Sequence, residues 1–466
     1  MRILTKDTVS KIGEKVELSG WVDVRRDHGK LIFIDLRDRS GVIQLVFTPK
    51  NEKAYALANS LRSEWVIQVS GVLKARPENM INSESVCGTV ELPVEEMEIL
   101  NEAQTPPFPL DTDGLELDEE LRAKYRYVDL RRARMQKNLR FRSQLIDAMR
   151  QELFAQDFTE VETPLLTKTT PEGARDFVVP SRHNPGKFFA LPQSPQQYKQ
   201  LLMTGGLERY FQVARALRDE DLRADRAFEH TQLDLEMSFV SQDDVLNLVE
   251  KMMVAVATKF NFQLKNQTFP RLTFQEAMEK FGADKFDLRT EEEKKENVLS
   301  FAWVTNFPAF EKTKEGEWTF THNPFTMPKE EDLENLFAGK DIEKIGTWQY
   351  DLVCNGFELG SGSIRAHKPE ILRAVFKVMG YSEERVEAQF GHMLAAFNSG
   401  TPPHGGIGIG LDRLVMILQG EKFLREVVAF PQTSSGRTSV MDAPSELGEE
   451  QLQELGLKIE KKKKSE

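Results

Sequence analysis

The chain has 466 residues, 40% of them hydrophobic, which gives room for two or three domains with real cores and excludes a peptide-sized or wholly disordered protein. Two cysteines, Cys87 and Cys354, exclude a disulfide framework or a zinc cluster, and no stretch approaches the ~20 apolar residues of a membrane helix. A net charge of −12 argues against a polyanionic partner unless basic residues cluster, and they do: at Arg25-Arg26, from Lys124 to Arg134, and in a C-terminal tail from Lys461 to Lys464.

From the N-terminus, Met1 to Asp7 lack the apolar segment of a secretion signal, so a cytoplasmic address is expected. Leu31 to Leu36 and Val42 to Phe47 alternate in polarity around Arg37-Asp-Arg-Ser-Gly41, which predicts a hairpin. A helix over Ala54 to Ser63 and strands over Trp65 to Val72 and Val90 to Leu100 complete the pattern of a small barrel of the oligonucleotide-binding (OB) kind over residues 1–103. Within this pattern Ile32, Ile34 and Leu36 fill one face of a strand and leave Phe33 on the other, near Gln44 on the next strand. An exposed aromatic can stack a base there and an amide can read its edge, although a lone Phe in the core is an equal reading. Pro106, Pro107 and Pro109 then mark a hinge or linker over 104–133.

Beyond it the apolar period becomes helical over Met135 to Gln156, and a larger domain is expected over 134–466. Extended runs at Phe188 to Leu191, Tyr210 to Ala216, Thr231 to Phe239, Trp348 to Leu359 and Ile407 to Gly410 alternate with helices at Val245 to Phe260 and Ser382 to Ser399. That mixture predicts an α+β domain on an antiparallel sheet. Residues 286–301 read as a charged surface connector or helix.

Four clusters in this domain carry chemistry. Arg215 to Arg226 is a strand followed by a charged loop, in which the Arg218 guanidinium offers a planar fork for a phosphate or carboxylate; an exposed, salt-bridged hairpin is the competing reading. Gly405 to Leu418 is a glycine-rich strand entering an apolar helix, with Arg413 near its start adding positive potential for a polyphosphate. Asp351, Glu358 and Ser361 are hard oxygen donors suited to magnesium, and their odd spacing requires a bend or bulge near Asn355-Gly356. Thr163 to Phe177 and Leu191 to Lys199 supply polar side chains.

Together these clusters, in this order, resemble the three signature motifs of class II aminoacyl-tRNA synthetases, most closely the bacterial-type aspartyl-tRNA synthetases. The resemblance runs from Gly20-Trp-Val-Asp-Val-Arg-Arg-Asp-His-Gly to Phe430-Pro431 and rests above all on Gly173-Ala-Arg-Asp-Phe, Gln193-Ser-Pro-Gln-Gln-Tyr-Lys, Leu217 to Arg226 and Gly410-Leu-Asp-Arg. It implies an OB-fold anticodon-binding barrel followed by a class II catalytic domain, with ATP and Mg2+ required and a homodimer formed through Met135 to Pro164. The reaction implied is activation of L-aspartate to an aspartyl-adenylate and transfer to tRNA(Asp).

Carried over residue by residue, the resemblance assigns catalysis to Arg218, Glu220 and Arg413. ATP would be held by Arg218, Asp219, Glu220, Glu358, Gly410, Leu411, Asp412 and Arg413, and its adenine ring by Phe228 or His230. Aspartate would be held by Glu172, Gln196, Lys199, Arg218, Asp234, His322 and Arg365. The barrel would read the anticodon through Arg26, His28, Phe33, Gln44 and Glu91, and His28 extends the expected substrates to tRNA(Asn). The chain departs from the family pattern in three places. Ala227-Phe-Glu-His230 stands where Gln-Pro-Glu-Phe is usual, His322-Asn323 where two histidines are usual, and residues 286–301 where bacterial members insert a large domain. An asparaginyl-tRNA synthetase and a noncatalytic RNA-binding relative are the competing readings.

Overall fold

A computed structural model describes residues 2–169 and 173–460, which fall into two units, Met1–Thr112 and Asp113–Glu466. Unit 1 contains β1 (Lys15–His28), β2 (Leu31–Arg37), β3 (Val42–Phe47), β4 (Val66–Val72), β5 (Lys74–Ala75) and β6 (Val90–Asn101), with one helix at Glu52–Ser60. The strands run β3-β2-β1-β4-β6-β5, and a parallel β3–β6 pairing closes the sheet into a barrel without a free edge between them. Strict alternation builds its core: Ile32, Ile34, Leu36, Ile43, Leu45, Phe47, Ile67 and Val69 are all 1% exposed or less. The β2–β3 turn is held by Asp38, whose carboxylate accepts from the amides of Ser40 at 2.7 Å, Gly41 at 3.2 Å and Thr5 at 2.8 Å.

Unit 2 is built on eight strands. They are β7 (Thr159–Glu160), β10 (Arg209–Leu217), β11 (Glu229–Ser238), β12 (Arg271–Thr273), β13 (Phe301–Thr305), β16 (Gln349–Cys354), β17 (Phe357–Ile364) and β18 (His404–Gly410). Two separate hairpins, β8 (Val178–Pro180) with β9 (Phe188–Ala190) and β14 (Phe310–Lys312) with β15 (Trp318–Phe320), stand outside that sheet. The main sheet runs β12-β13-β16-β17-β18-β11-β10-β7 and is antiparallel except at its two ends. One face is covered by the helices Ala133–Phe154, Gln242–Lys259 and Leu411–Leu418, whose Leu145, Met149, Val249, Met253, Leu414 and Val415 join Phe211, Leu233, Leu235, Ile407 and Ile409 in the largest core. The fold is thus α+β, with flanking helices on a largely antiparallel sheet.

Three readings of the sequence sharpen on this scaffold. The run Trp348 to Leu359 is a hairpin, reversing at Asn355 and Gly356 with φ of 52° and 87°, the left-handed pair that a two-residue turn demands, and β16 and β17 also slip register between Leu352 and Val353. Within residues 286–301 the helical alternative is the one observed, at Glu291–Lys295, and Phe301 begins β13, one place in from the sheet edge. Of 104–133, the part from Glu119 is helical and anchored: Arg122, Arg126, Asp129 and Arg132 are all at most 5% exposed. Asp129 accepts from Arg122 at 3.0 Å, Arg126 at 2.7 Å and Arg132 at 2.8 Å, while Glu426 takes Arg122 at 2.8 Å and Arg134 at 2.7 Å. Removing one partner from such a network orphans buried charges, so Asp129→Ala is expected to cost about 3–5 kcal/mol, read from the denaturant midpoint of unit 2.

Candidate active site

One cavity of about 820 Å³ lies in unit 2, over the glycine-rich centre of the sheet. Along β11, His230, Gln232 and Asp234 occupy alternate positions and therefore share a face, and all three line the cavity; their neighbours Leu233, Leu235 and Met237 point into the core. Opposite them, Gly408 of β18 pairs with Asp234 on one side and Ser361 on the other, so the floor between two polar strands carries no side chain. Gly406 is required for a different reason: a Cβ there would strike the Leu235 carbonyl, and the strands could not close.

Two cations sit at the deep end. Lys199 and Arg365 are each 2% exposed and both line the cavity. Lys199 Nζ lies 2.8 Å from Asp234 Oδ1 and 3.2 Å from Glu236 Oε2, and Arg365 donates from Nε to Glu236 Oε1 at 2.8 Å and from Nη2 to Oε2 at 3.2 Å. Burial pushes the Asp234 carboxyl above its ordinary value despite Lys199, and its Oδ2 has no hydrogen-bond partner. Burial acts on Glu236 in the same direction, but Arg365 and Lys199 outweigh it and hold that carboxyl at about 2. Gln196, 8% exposed, lines the same end.

Arg218, Arg413, His230, Lys285 and Glu358 line the cavity as well. Arg218 follows the end of β10; its amide donates to the Phe228 carbonyl at 2.8 Å and its Nε to the Gln193 carbonyl at 3.3 Å. Among the described residues nothing bonds its two terminal nitrogens. Arg413, in the first turn of the helix Leu411–Leu418, donates to Asp225 Oδ2 at 3.1 Å and to the Glu358 carbonyl, while its buried Nε has no partner. Lys285 reaches Glu358 at 2.7 Å, and although burial pushes the Glu358 carboxyl up, Lys285, Arg413 and His322 hold it below its ordinary value. Burial, then Arg218, Arg413 and Arg215, lower the His230 imidazole to about 3, so the ring is neutral at neutral pH.

His322 also lines the cavity and meets Asp351 at 3.2 Å; burial lowers it, but Asp351 and Glu358 outweigh that and raise it. Asp351, expected beside Glu358 and Ser361, is 2% exposed and does not line the cavity, because its oxygens are taken by His322 Nε2 and by Gln349 Nε2 at 3.1 Å. Gln349 also donates to Ser361 Oγ at 2.7 Å, which links the three. Among the described residues there is no cluster of three or more His, Cys, Asp or Glu fit to hold a metal. Glu358 and Ser361 nevertheless present a carboxylate and a hydroxyl to the cavity, a donor set that suits magnesium already carried on phosphates.

Other expected residues fall variously. Asp219, Glu220, Gly410 and Asp412 line the cavity, with Glu220 held by Arg226 at 2.5 Å and Asp412 accepting the Thr231 amide at 2.9 Å. The Leu411 side chain belongs to the hydrophobic core, leaving only its backbone for a ligand. Of the two candidate rings, Phe228 packs edge-on to Phe177 at 5.5 Å beside Gly436, whereas His230 lines the cavity. Glu172 lies outside the described residues, as does the Lys461 to Lys464 tail. Glu236, Lys285 and Gln349 were not anticipated. Glu236 continues the two-residue period of His230, Gln232 and Asp234, a legible signal; Lys285 sits at the edge of the charged connector and carries none.

In unit 1 the outward face of the hairpin gathers Arg26, His28, Phe33, Gln44 and Glu91. Phe33 is half-buried, paired across strands with Arg26 and Val46, and edge-on to His28 at 6.0 Å; Arg26 grips Asp35 with both terminal nitrogens at 2.7 Å, and Gln44 meets Glu91 at 3.1 Å.

Residues 118–434 match the family model of class II tRNA synthetases (D, K and N), and residues 16–100 that of the OB-fold nucleic acid binding domain. An aspartate–tRNA(Asp/Asn) ligase of Rubrobacter xylanophilus is 40% identical over 574 residues, covering 97% of this chain and 95% of that protein. An alignment so much longer than the chain itself means that the relative carries sequence this chain lacks. Among solved structures, asparaginyl-tRNA synthetase of Pyrococcus horikoshii complexed with asparaginyl-adenylate superposes with a TM-score of 0.72 at 23% identity, over 91% of this chain and 96% of that one. Aspartyl-tRNA synthetase of Entamoeba histolytica gives 0.72 at 21%, over 92% and 91%. At such identity these two speak for the fold alone.

Proposed function

Because the chain belongs to the class II tRNA synthetases of the D, K and N group, all of them ligases, we propose that it activates L-aspartate with ATP and transfers it to tRNA(Asp), with tRNA(Asn) as a second acceptor. The observation that carries the choice of amino acid is the pair of buried cations, Lys199 and Arg365, facing the cavity. A side-chain carboxylate would bring negative charge to two cations that already meet Asp234 and Glu236, the former a carboxyl that burial raises. An asparagine amide would bring none and forgo that attraction, a difference worth roughly 10⁴-fold in selection.

In the first step the aspartate α-carboxylate, ionised at neutral pH, attacks the α-phosphorus of ATP; the bond to the β-phosphate breaks and pyrophosphate leaves. Arg218 holds the α-phosphate and the attacking carboxylate together, with Glu220 on the adenine side, the neutral His230 ring against the base and Arg413 on the γ-phosphate. Gln196 and Asp234 hold the substrate ammonium, and His322, oriented by Asp351, closes the pocket. Glu358 and Ser361 would hold magnesium, which compensates polyphosphate charge when bound. In the second step a ribose hydroxyl of the tRNA 3′ end attacks the aspartyl carbonyl and AMP departs.

Residues 1–103 would bind the anticodon and 134–466 carry the chemistry, and a homodimer is proposed through Met135 to Pro164. Next to that segment Leu165 and Leu166 are 51% and 52% exposed, apolar surface that a second copy would cover. Among the described residues no helix is long and apolar enough to cross a membrane, and a cytoplasmic location is proposed.

Pyrophosphate exchange with aspartate and with asparagine tests the amino acid, and charging of purified tRNA(Asp) and tRNA(Asn) tests the acceptors. Exchange driven by asparagine alone would overturn the reading. A separate expectation concerns His230. Its imidazole takes a proton only as the pH falls toward 3, so His230 contributes no step to the KM for ATP between pH 5 and 8. A step near 6.5 that His230→Phe abolishes would show that the ring is not held neutral at this site.

A further inference from the structure

Behind the cavity wall runs a line of buried polar groups of which the chemistry above uses only the first, Gln196. Gln196 Nε2 donates to Gln200 Oε1 at 3.0 Å, Gln200 Nε2 lies 3.1 Å from His404 Nε2, and His404 Nδ1 lies 2.8 Å from the Pro402 carbonyl. Gln200 and His404 are fully buried, at 0% exposure, and Gln196 alone of the three reaches the cavity. We propose that His404 and Gln200 are positioning residues that dictate which end of the Gln196 amide faces the cavity, and so supply the pocket with an acceptor for the substrate ammonium group.

The argument is one of hydrogen-bond polarity. A carbonyl oxygen can only accept, so His404 Nδ1 must carry a proton toward Pro402. In a neutral ring the other nitrogen is then an acceptor. Gln200 must present its NH2 to that acceptor, and a planar amide that does so turns its oxygen the other way, toward Gln196. Gln196 answers with its own NH2, which leaves its Oε1 for the cavity; among the described residues no bond occupies that oxygen. Each link has one consistent polarity, fixed by a main-chain carbonyl three side chains removed from the substrate. The surroundings of His404 keep the ring neutral: burial outweighs the opposite pull of Glu236 and of the Pro402 carbonyl, Arg365 and His367 add to it, and the pKa stands at about 4. Were Gln196 free to flip, its NH2 would face an ammonium group, exchanging an attractive contact for a repulsive one at no cost in shape.

This inference rests on the aspartate reading, and the test separates the two. Binding of L-aspartate is compared with binding of succinate, which keeps both carboxylates and lacks the ammonium group. In the wild type aspartate binds the more tightly. Gln200→Leu and His404→Phe are expected to weaken aspartate about tenfold or more, leaving the Kd of succinate and the KM for ATP within twofold. His404→Gln, whose Oε1 can stand where Nε2 stands, restores aspartate binding. Equal weakening of both ligands, or unchanged aspartate binding, would overturn the relay. Should the leucine and phenylalanine variants not fold, nitrogen NMR of histidine-labelled wild-type protein decides: a neutral His404 protonated at Nδ1 near pH 7 is expected, and protonation at Nε2 overturns the proposal. Wild-type protein that fails to bind aspartate at all, with the Nδ1 tautomer in place, would instead sink the substrate assignment.

Discussion

Arg218→Ala is expected to lower aspartate-dependent pyrophosphate exchange by about 10³-fold or more, while binding of tRNA to the same variant stays within a few-fold of wild type. The expectation follows from how the side chain is held. Its amide closes the β10–β11 hairpin on Phe228 at 2.8 Å and its Nε is fixed by the Gln193 carbonyl at 3.3 Å, so the guanidinium plane is set before substrate arrives. Gln193 is itself anchored, bonding both the amide and the carbonyl of Ala174, at 3.0 Å and 2.8 Å. A fork preorganised in this way spends little free energy on reorienting as charge builds on the α-phosphate. Arg218→Lys should recover little, because a point charge cannot span phosphate and carboxylate with two parallel hydrogen bonds. Exchange within tenfold of wild type in the alanine variant would remove Arg218 from the reaction. A matching loss of tRNA binding would point to a damaged fold.

Much of this arrangement was readable in the sequence, and what escaped it did so for identifiable reasons. The barrel followed from strict alternation in Leu31 to Leu36 and Val42 to Phe47, because one buried face per strand leaves a two-residue signature. The deep end of the cavity was legible through Lys199, Asp234 and Arg365. Their partner Glu236 was not singled out although it obeys the same period; that period is legible, and what the structure adds is the pair of cations that lets the carboxylate be buried. Asp351 was placed among the metal donors by residue type and spacing. The structure turns it to His322 and Gln349, partners that come from elsewhere in the chain and from two residues away, and residue type and spacing do not announce them. The helical segment from Glu119 to Arg132 looked like linker because it follows Pro106, Pro107, Pro109 and an acidic stretch; only the mutual pairing of its arginines and Asp129, and Glu426 some 300 positions away in the chain, allows them inside. Long-range pairing of this sort is invisible to any window of sequence.

The second large effect concerns the buried cations, where selection and stability separate. In Lys199→Met, Asp234 loses its cation while Glu236 keeps Arg365 at 2.8 Å, so the fold survives with a neutralised Asp234, whose carboxyl burial already raises. The KM for aspartate is expected to rise at least 100-fold with the KM for ATP unchanged, and the preference for aspartate over asparagine to collapse by a similar factor. Arg365→Leu removes the other member and is expected to behave differently. Glu236, 0% exposed and gripped at two oxygens, is left with Lys199 alone at 3.2 Å, and about 3–5 kcal/mol of stability should go with aspartate binding. The acid profile carries the same signature. With the folded Glu236 near 2, below the ordinary carboxylate value, the pair's contribution is fully present above that ordinary value and is lost only as the pH falls toward 2. In Arg365→Leu that lowering weakens, so the variant should gain less stability than wild type as the pH rises from about 2 through the carboxylate range. Parallel pH-stability curves for the two proteins would show that Arg365 does not hold the charge on Glu236. A Lys199→Met enzyme that still chose aspartate over asparagine by the full wild-type margin would mean that the selecting charge lies elsewhere in the cavity.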